Sequence, residues 1–255
     1  MNRRKFIKTA SLGALAYAAL PNIGLAWDDI PSRTGKIIKG RKLNIACIGV
    51  GGQGWHDLQQ VGSENIVAVC DVEATKIKAA LEKFPQAKQY RDFRRMLMEM
   101  DDEIDAVTIT TPDHMHFPAA MMAVKMGKHV FVQKPMTHTI EEARALTAAA
   151  RKHNVMTQMG IQGHSYEGIR RLREWQAARA IGEVEEVHIW TNRPVWKQGD
   201  RPLQPAQPVP ATLDWNLWQG VAREREYNRL YTHFSWRGWS EYGCGALGDI
   251  GCHAM

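Results

Sequence analysis

Three stretches of this 255-residue chain combine residue types and spacings that suit chemistry. The first is GVGGQG, with Gly49, Gly51 and Gly54 in a G-x-G-x-x-G pattern and Gly52 and Gln53 inside it. Glycines so placed permit a tight turn and let the backbone approach a pyrophosphate seated on the next helix N-terminus. The pattern is weak alone, but it follows an apolar run, and Asp71 closes the next such run 22 residues after Gly49. A carboxylate there suits the hydroxyls of an adenosine ribose and repels a 2′-phosphate. No arginine directly follows it, so NAD is expected over NADP. The second stretch is TTPDHMH, in which Thr111, Pro112 and His116 are expected to line a cofactor cleft. Asp113, His114 and His116 also suggest a metal site, but further convergent ligands would be needed and no metal is expected.

The third stretch, FVQKPMTH, sets an ammonium at the mouth of an apolar run: Val132 is followed directly by Gln133, Lys134 and Pro135. The bland alternative is a lysine whose stem merely carries its charge to water. Gln133 is a neutral amide, so Lys134 lacks an adjacent carboxylate and its pKa is expected below that of a Glu-paired lysine. Near the end, Asp249 and His253 lie four apart and would share one face of a helix.

These residues need elements to carry them. Strand-like runs fall at 43–49, 66–71, 105–110, 129–133 and 154–159, with a weaker one at 88–91. Amphipathic helical patterns separate them, and Thr139 followed by Glu142 makes a capping box before IEEARALTAAARKH. Apolar strands alternating with helices predict an α/β fold, a doubly wound parallel sheet covered on both faces. Beyond about residue 164 the pattern changes to a helix, an expected strand at EVEEVHIWTN, a proline-rich loop and seven of the nine tryptophans between 175 and 239. Those indoles either stack on a ligand or fill a core.

The net charge of +6 does not point to nucleic acid. Residues 1–26 hold Arg3, Arg4, Lys5 and Lys8 and no acid, leaving 29 basic against 27 acidic residues in the remainder. That segment, NRRKFIK followed by a short apolar stretch ending in small residues, reads as a twin-arginine export signal and implies a periplasmic protein. No later run approaches the roughly 20 apolar residues of a spanning helix. Cys47, Cys70, Cys244 and Cys252 follow neither a disulfide nor a zinc spacing and are expected to pack structurally. The resulting domain plan is a signal at 1–26, a polar linker at 27–41, a dinucleotide-binding unit at 42–163 and the truncated start of a second α/β domain at 164–255.

Together, GVGGQG, TTPDHMHF, GKHVFVQKPMTHTIEEA and GALGDIGCH resemble the glucose–fructose oxidoreductase/inositol dehydrogenase (Gfo/Idh/MocA) family, in its exported branch. The resemblance runs from about residue 42 onward. It implies an N-terminal Rossmann domain, a C-terminal α/β domain with an open sheet, homo-oligomers, and NAD(P)-dependent chemistry on sugar or polyol hydroxyls. It assigns Lys134 to the reacting hydroxyl, in a Glu-Lys-Pro tripeptide that here reads Gln133-Lys134-Pro135. It makes His253 the acid/base and Asp249 its orienting or substrate-binding partner. Gln133 and Lys134 would also border the cofactor. An NAD-dependent glycosidase and a non-catalytic sugar-binding relative are the alternative readings.

Overall fold

The computed structural model describes residues 30–199 and 202–254, so the expected export signal at 1–26 lies outside the described residues. Six strands, β1 (Asn44–Ile48), β2 (Asn65–Cys70), β3 (Lys88–Tyr90), β4 (Ala106–Ile109), β5 (His129–Gln133) and β6 (Thr157–Gly160), form one sheet in the order β3-β2-β1-β4-β5-β6. Every pairing is parallel. The chain winds outward from β1 in one direction, then returns to β4 and winds in the other. A crevice opens where the order reverses, outside the carboxyl ends of β1 and β4. The register aligns those ends: Ile48 faces Ile109, and Ile109 faces Val132.

Helices α1 (Gln53–Gln60), α2 (Ala74–Lys83), α3 (Phe93–Glu99), α4 (His116–Lys125) and α5 (Ile140–Lys152) cover the sheet. Alternation along each strand divides the core in two. Ile45, Cys47 and Val69 point to the side of α1 and α2, where they meet Leu58, Ile77 and Ala80. Ala46, Ile48, Ile109 and Val132 point the other way, against Leu97, Ala119, Ala123 and Leu146. The capping box opens α5 as expected: Glu142 N–H donates to Thr139 Oγ1, and Thr139 N–H donates to Glu142 Oε2.

Part of the segment expected as a linker is docked on this unit. Arg33 N–H donates to Lys125 O, Gly35 N–H donates to His153 O, and Ile30 joins the core. After β6 come a 3-10 turn at Gln162–Ser165 and helix α6 (Glu167–Ala177). The strand expected at EVEEVHIWTN does not form among the described residues. A strand requires backbone partners on a neighbour, and no described strand supplies them. Val187 and Trp190 accordingly remain 69% and 85% exposed.

The later residues build a compact aromatic core rather than a stacking surface. Trp215, Trp218, Trp236 and Trp239 are buried with Tyr227, Tyr231 and Tyr242 around helix α7 (Trp215–Gln219). Trp215 stacks on Trp218 with centroids 4.9 Å apart, and Tyr242 meets Trp218 edge-on at 4.8 Å. Trp196 is buried too, so of the seven tryptophans in this region only Trp175 and Trp190 stay exposed. The cluster is fastened to the end of β2, where Asp214 N–H donates to Val72 O and Ala74 N–H donates to Thr212 O.

Candidate active site at the carboxyl edge of the sheet

The glycine turn leads from β1 into α1. Gly49 has φ 78°, and a Cβ on it would come 2.5 Å from Thr110 O. A Cβ on Gly54 would lie 1.9 Å from Gly49 O, so the helix closes on the strand only with glycine there. Gly51 packs against the stem of Lys76, while Gly52, at φ 54°, faces open space. No side chain caps α1 and no acid sits in its first turn, which leaves backbone N–H groups and a positive helix end for an anion. Asp71 accepts Val50 N–H on Oδ2 and Glu73 N–H on Oδ1, each at 2.9 Å. Burial pushes its carboxyl up, and those two N–H groups work against the rise. The bare helix end beside an open glycine fits a pyrophosphate, and the fixed carboxylate at the end of β2 fits a ribose diol.

Beneath the turn lies a buried anion absent from the sequence reading. Asp57 of α1 accepts Gln53 Nε2–H at 2.9 Å, Thr110 Oγ1–H at 2.8 Å and Gln133 Nε2–H at 2.9 Å. No lysine or arginine pairs with it in the described residues; three neutral donors satisfy the carboxylate instead. The amide of Gln133 therefore has a partner, but on the α1 side of the sheet, away from the lysine beside it. Gln53 likewise turns its amide inward to Asp57.

Lys134 follows Gln133 and reaches Asp249, donating to its backbone oxygen and to Oδ1, both at 2.7 Å. Lys134 has no carboxylate adjacent in sequence, as expected, but it finds one 115 residues away. Asp249 sits in a π-helical turn, Leu247–Gly251, a widened geometry that recurs at functional sites. Arg237 Nε–H donates to the same Oδ1 at 3.2 Å, and its guanidinium lies 4.2 Å over the Trp236 ring. Burial disfavours the Asp249 carboxylate, but Lys134 and Arg237 outweigh it and hold the carboxyl below the usual range. His253 follows in the short helix Cys252–Ala254. Burial and the Lys134 ammonium lower its pKa, Asp249 opposes them, and His164 adds to the lowering. The three residues singled out as catalytic are therefore electrostatic neighbours.

TTPDHMH divides its duties differently from the expectation. Pro112 opens a short 3-10 turn, and Thr111 has a buried hydroxyl with no hydrogen-bond partner. Asp113 accepts Cys244 N–H at 2.9 Å, and His114 places Nε2 3.1 Å from Trp218 O. Burial lowers the His114 pKa to about 4, so this imidazole is neutral. Both residues anchor the aromatic core to the Rossmann unit. His116, expected to line the cofactor cleft, is buried, and both ring nitrogens face backbone carbonyls of Thr111 and Pro135. Burial pushes the Cys244 thiol up to about 12 and raises Cys252 as well, so neither is a ready nucleophile.

Asp57, Arg237 and His164 were missed by sequence reasoning. An acid in the middle of a helix after the glycine turn was a usable signal for Asp57, and the turn that follows a strand was one for His164. Arg237, between two core tryptophans, carried none. Replacing Gln133 by glutamate would set a second carboxylate against Asp57 and remove a donor. Gln133→Glu is expected to destabilise the protein by about 3 kcal/mol at neutral pH. Urea unfolding of both forms checks this; equal midpoints at neutral pH would remove the Asp57 contact from the account.

Comparison with known proteins places these features in a family. Residues 43–161 match the Gfo/Idh/MocA model described as an oxidoreductase family, NAD-binding Rossmann fold. Residues 181–255 match the model of the same family's C-terminal alpha/beta domain. The chain is 30% identical to inositol 2-dehydrogenase of Salmonella typhimurium, over 57% of this chain and 45% of that protein. It is 31% identical to glycosyl hydrolase family 109 protein 2 of a Shewanella species, over 63% of this chain and 40% of that protein. Among solved structures, an NAD-binding protein from Listeria innocua superposes with a TM-score of 0.51 at 29% identity, covering 56% of this chain and 42% of the other. The matched region thus spans less than half of each relative's length. Residues 43–161 and 181–255 together make up most of the sequence, and the chain belongs to the Gfo/Idh/MocA oxidoreductase family.

Proposed function

We propose that the protein oxidises a secondary hydroxyl of a sugar or polyol, or reduces the corresponding ketone, with NAD. The observation that carries this reading is the meeting of Lys134, Asp249 and His253 beside the glycine turn. A bound nicotinamide would supply the hydride acceptor. The chain must supply a base, a cation for the developing alkoxide and an anchor for both. His253, with its lowered pKa, has an unprotonated ring nitrogen at neutral pH that can take the hydroxyl proton. An ammonium has three N–H donors; Lys134 commits two of them to Asp249, which leaves one for the substrate oxygen. Held in a partly buried ion pair, that charge stabilises an alkoxide more strongly than it would in water. Asp71 supports NAD over NADP, because a carboxylate held by two N–H groups cannot swing away from a 2′-phosphate.

A second reading is supported by the Shewanella relative named as a glycosyl hydrolase. The same base and cation would serve a glycosidase in which NAD is reduced and reoxidised within one turnover. Mixing the protein with NAD and a panel of inositols, sugars and aryl glycosides separates the two. Net NADH formation supports the dehydrogenase, aglycone release without NADH supports the glycosidase, and neither result with any member overturns both.

On the dehydrogenase reading, Lys134→Met should lower turnover by roughly 100-fold to 10,000-fold while dinucleotide binding, followed by fluorescence titration, is retained. The acid limb of the kcat/KM profile should fall below the ordinary imidazole value of 6.5, because His253 must be unprotonated and its pKa is lowered. A limb above that value would assign the base elsewhere. We also propose export by the twin-arginine route, on the strength of Arg3 and Arg4 before a short apolar stretch. Replacing both by lysine should leave the protein in the cytoplasmic fraction; unchanged fractionation would overturn this.

A further inference from the structure

We propose that His116 is a buried imidazolium that ties the ends of β4 and β5 together and thereby positions Lys134. Its Nδ1 lies 2.6 Å from Pro135 O and its Nε2 lies 2.8 Å from Thr111 O. Both partners are backbone carbonyls, which accept hydrogen bonds and have no proton to give. A neutral imidazole carries one N–H, so its other nitrogen would press a lone pair against a carbonyl lone pair at hydrogen-bond distance. The ring is 1% exposed, which leaves no opening for solvent to intervene. Turning it over would bring ring carbons against both oxygens and leave two buried carbonyls unpartnered. Only the doubly protonated ring satisfies every atom.

The surroundings hold groups that favour such a charge and groups that oppose it. Asp113, at 3% exposure, acts on His116 with the opposite charge from the 3-10 turn that leads into α4. Lys134 opposes the imidazolium from the end of β5, and Lys134 is itself paired with Asp249, which Arg237 also contacts. His114 and Cys244 nearby are uncharged. Burial, the largest influence, together with Lys134 holds the His116 pKa below the ordinary imidazole value against Asp113 and the two carbonyls. The charged ring rests on the two short contacts, which run against that direction. His114 offers the contrast. Its nitrogens also face carbonyls, but at 3.1 and 3.3 Å, and the Tyr242 carbonyl already accepts the His114 backbone N–H. One ring proton suffices there.

The positioning role follows from where the two carbonyls lie. Thr111 ends the segment leaving β4, and Pro135 is the residue after Lys134. On the opposite face, Asp57 already joins Thr110 to Gln133. The two strand ends are thus tied from both sides of the sheet, by an anion on the α1 side and a cation on the α4 side.

Two experiments test the proposal, and only the second rests on the proposed role of Lys134. With the protein labelled with 15N in histidine, ring nitrogen shifts report protonation directly. The His116 signals are identified from the His116→Asn variant or, should it fail to fold, from NOE contacts to Pro135. Both nitrogens should carry protonated-type shifts from about pH 6 to about pH 9, well above the usual imidazole titration. One unprotonated-type nitrogen at neutral pH would overturn the proposal. In the second, folded His116→Asn should lose roughly 100-fold in kcat on the substrate found in the NAD screen. Dinucleotide Kd should move by less than about threefold, since the glycine turn is untouched. Unchanged kcat would overturn the positioning role even if the ring proves charged.

Discussion

The ion pair between Lys134 and Asp249 constrains the rest of the structure. The two side chains are only 14% and 9% exposed, and they lie 115 residues apart in sequence. A partly buried ammonium or carboxylate without its partner costs several kcal/mol, and breaking such a pair leaves the survivor stranded. The end of β5 and the π-helical turn therefore meet through this pair, and Arg237 shares the same carboxylate oxygen. Asp113 and His114 fasten the same later segment to the Rossmann unit, meeting Cys244 and Trp218. A dense cluster of indoles and phenols around Trp215 and Tyr242 gives the later segment enough rigidity to hold one carboxylate in place.

Much of the fold was legible because its signals are local. Glycines at 49 and 54 answer to contacts a Cβ would forbid, and the Thr139–Glu142 box answers to helix geometry within four residues. Parallel pairing follows from apolar strands separated by amphipathic helices. Local signals also misled in one place: EVEEVHIWTN has the composition of a strand, but pairing is a property of a neighbour, not of the segment. The tryptophans left two readings open, since an indole that lines a ligand and one that fills a core look the same in sequence.

The site was legible in its parts and not in its wiring. Lys134, Asp249 and His253 were found by resemblance, and the structure brings them together. What sequence reading could not supply was which polar atom meets which. The sequence left the amide of Gln133 without a partner and set it beside the cofactor. In a strand, adjacent side chains point to opposite faces, so Gln133 answers to Asp57 and Lys134 to Asp249. The same alternation sends Thr110 toward α1 and gives the next residue, Thr111, to His116 through its carbonyl.

The Asp57 network has a wider consequence. The space between α1 and the ends of β4 and β5 accommodates one negative charge, held by neutral donors on three separate elements. Positions 57 and 133 are therefore a single choice written in two places, 76 residues apart. Here the acid is written on the helix and the amide on the strand. A glutamate at 133 becomes acceptable once position 57 gives up its carboxylate, so Asp57→Asn prepares the fold for an exchange that either substitution alone resists. The glutamine that looked like a defect in a family tripeptide is half of a pair whose other half lies on α1.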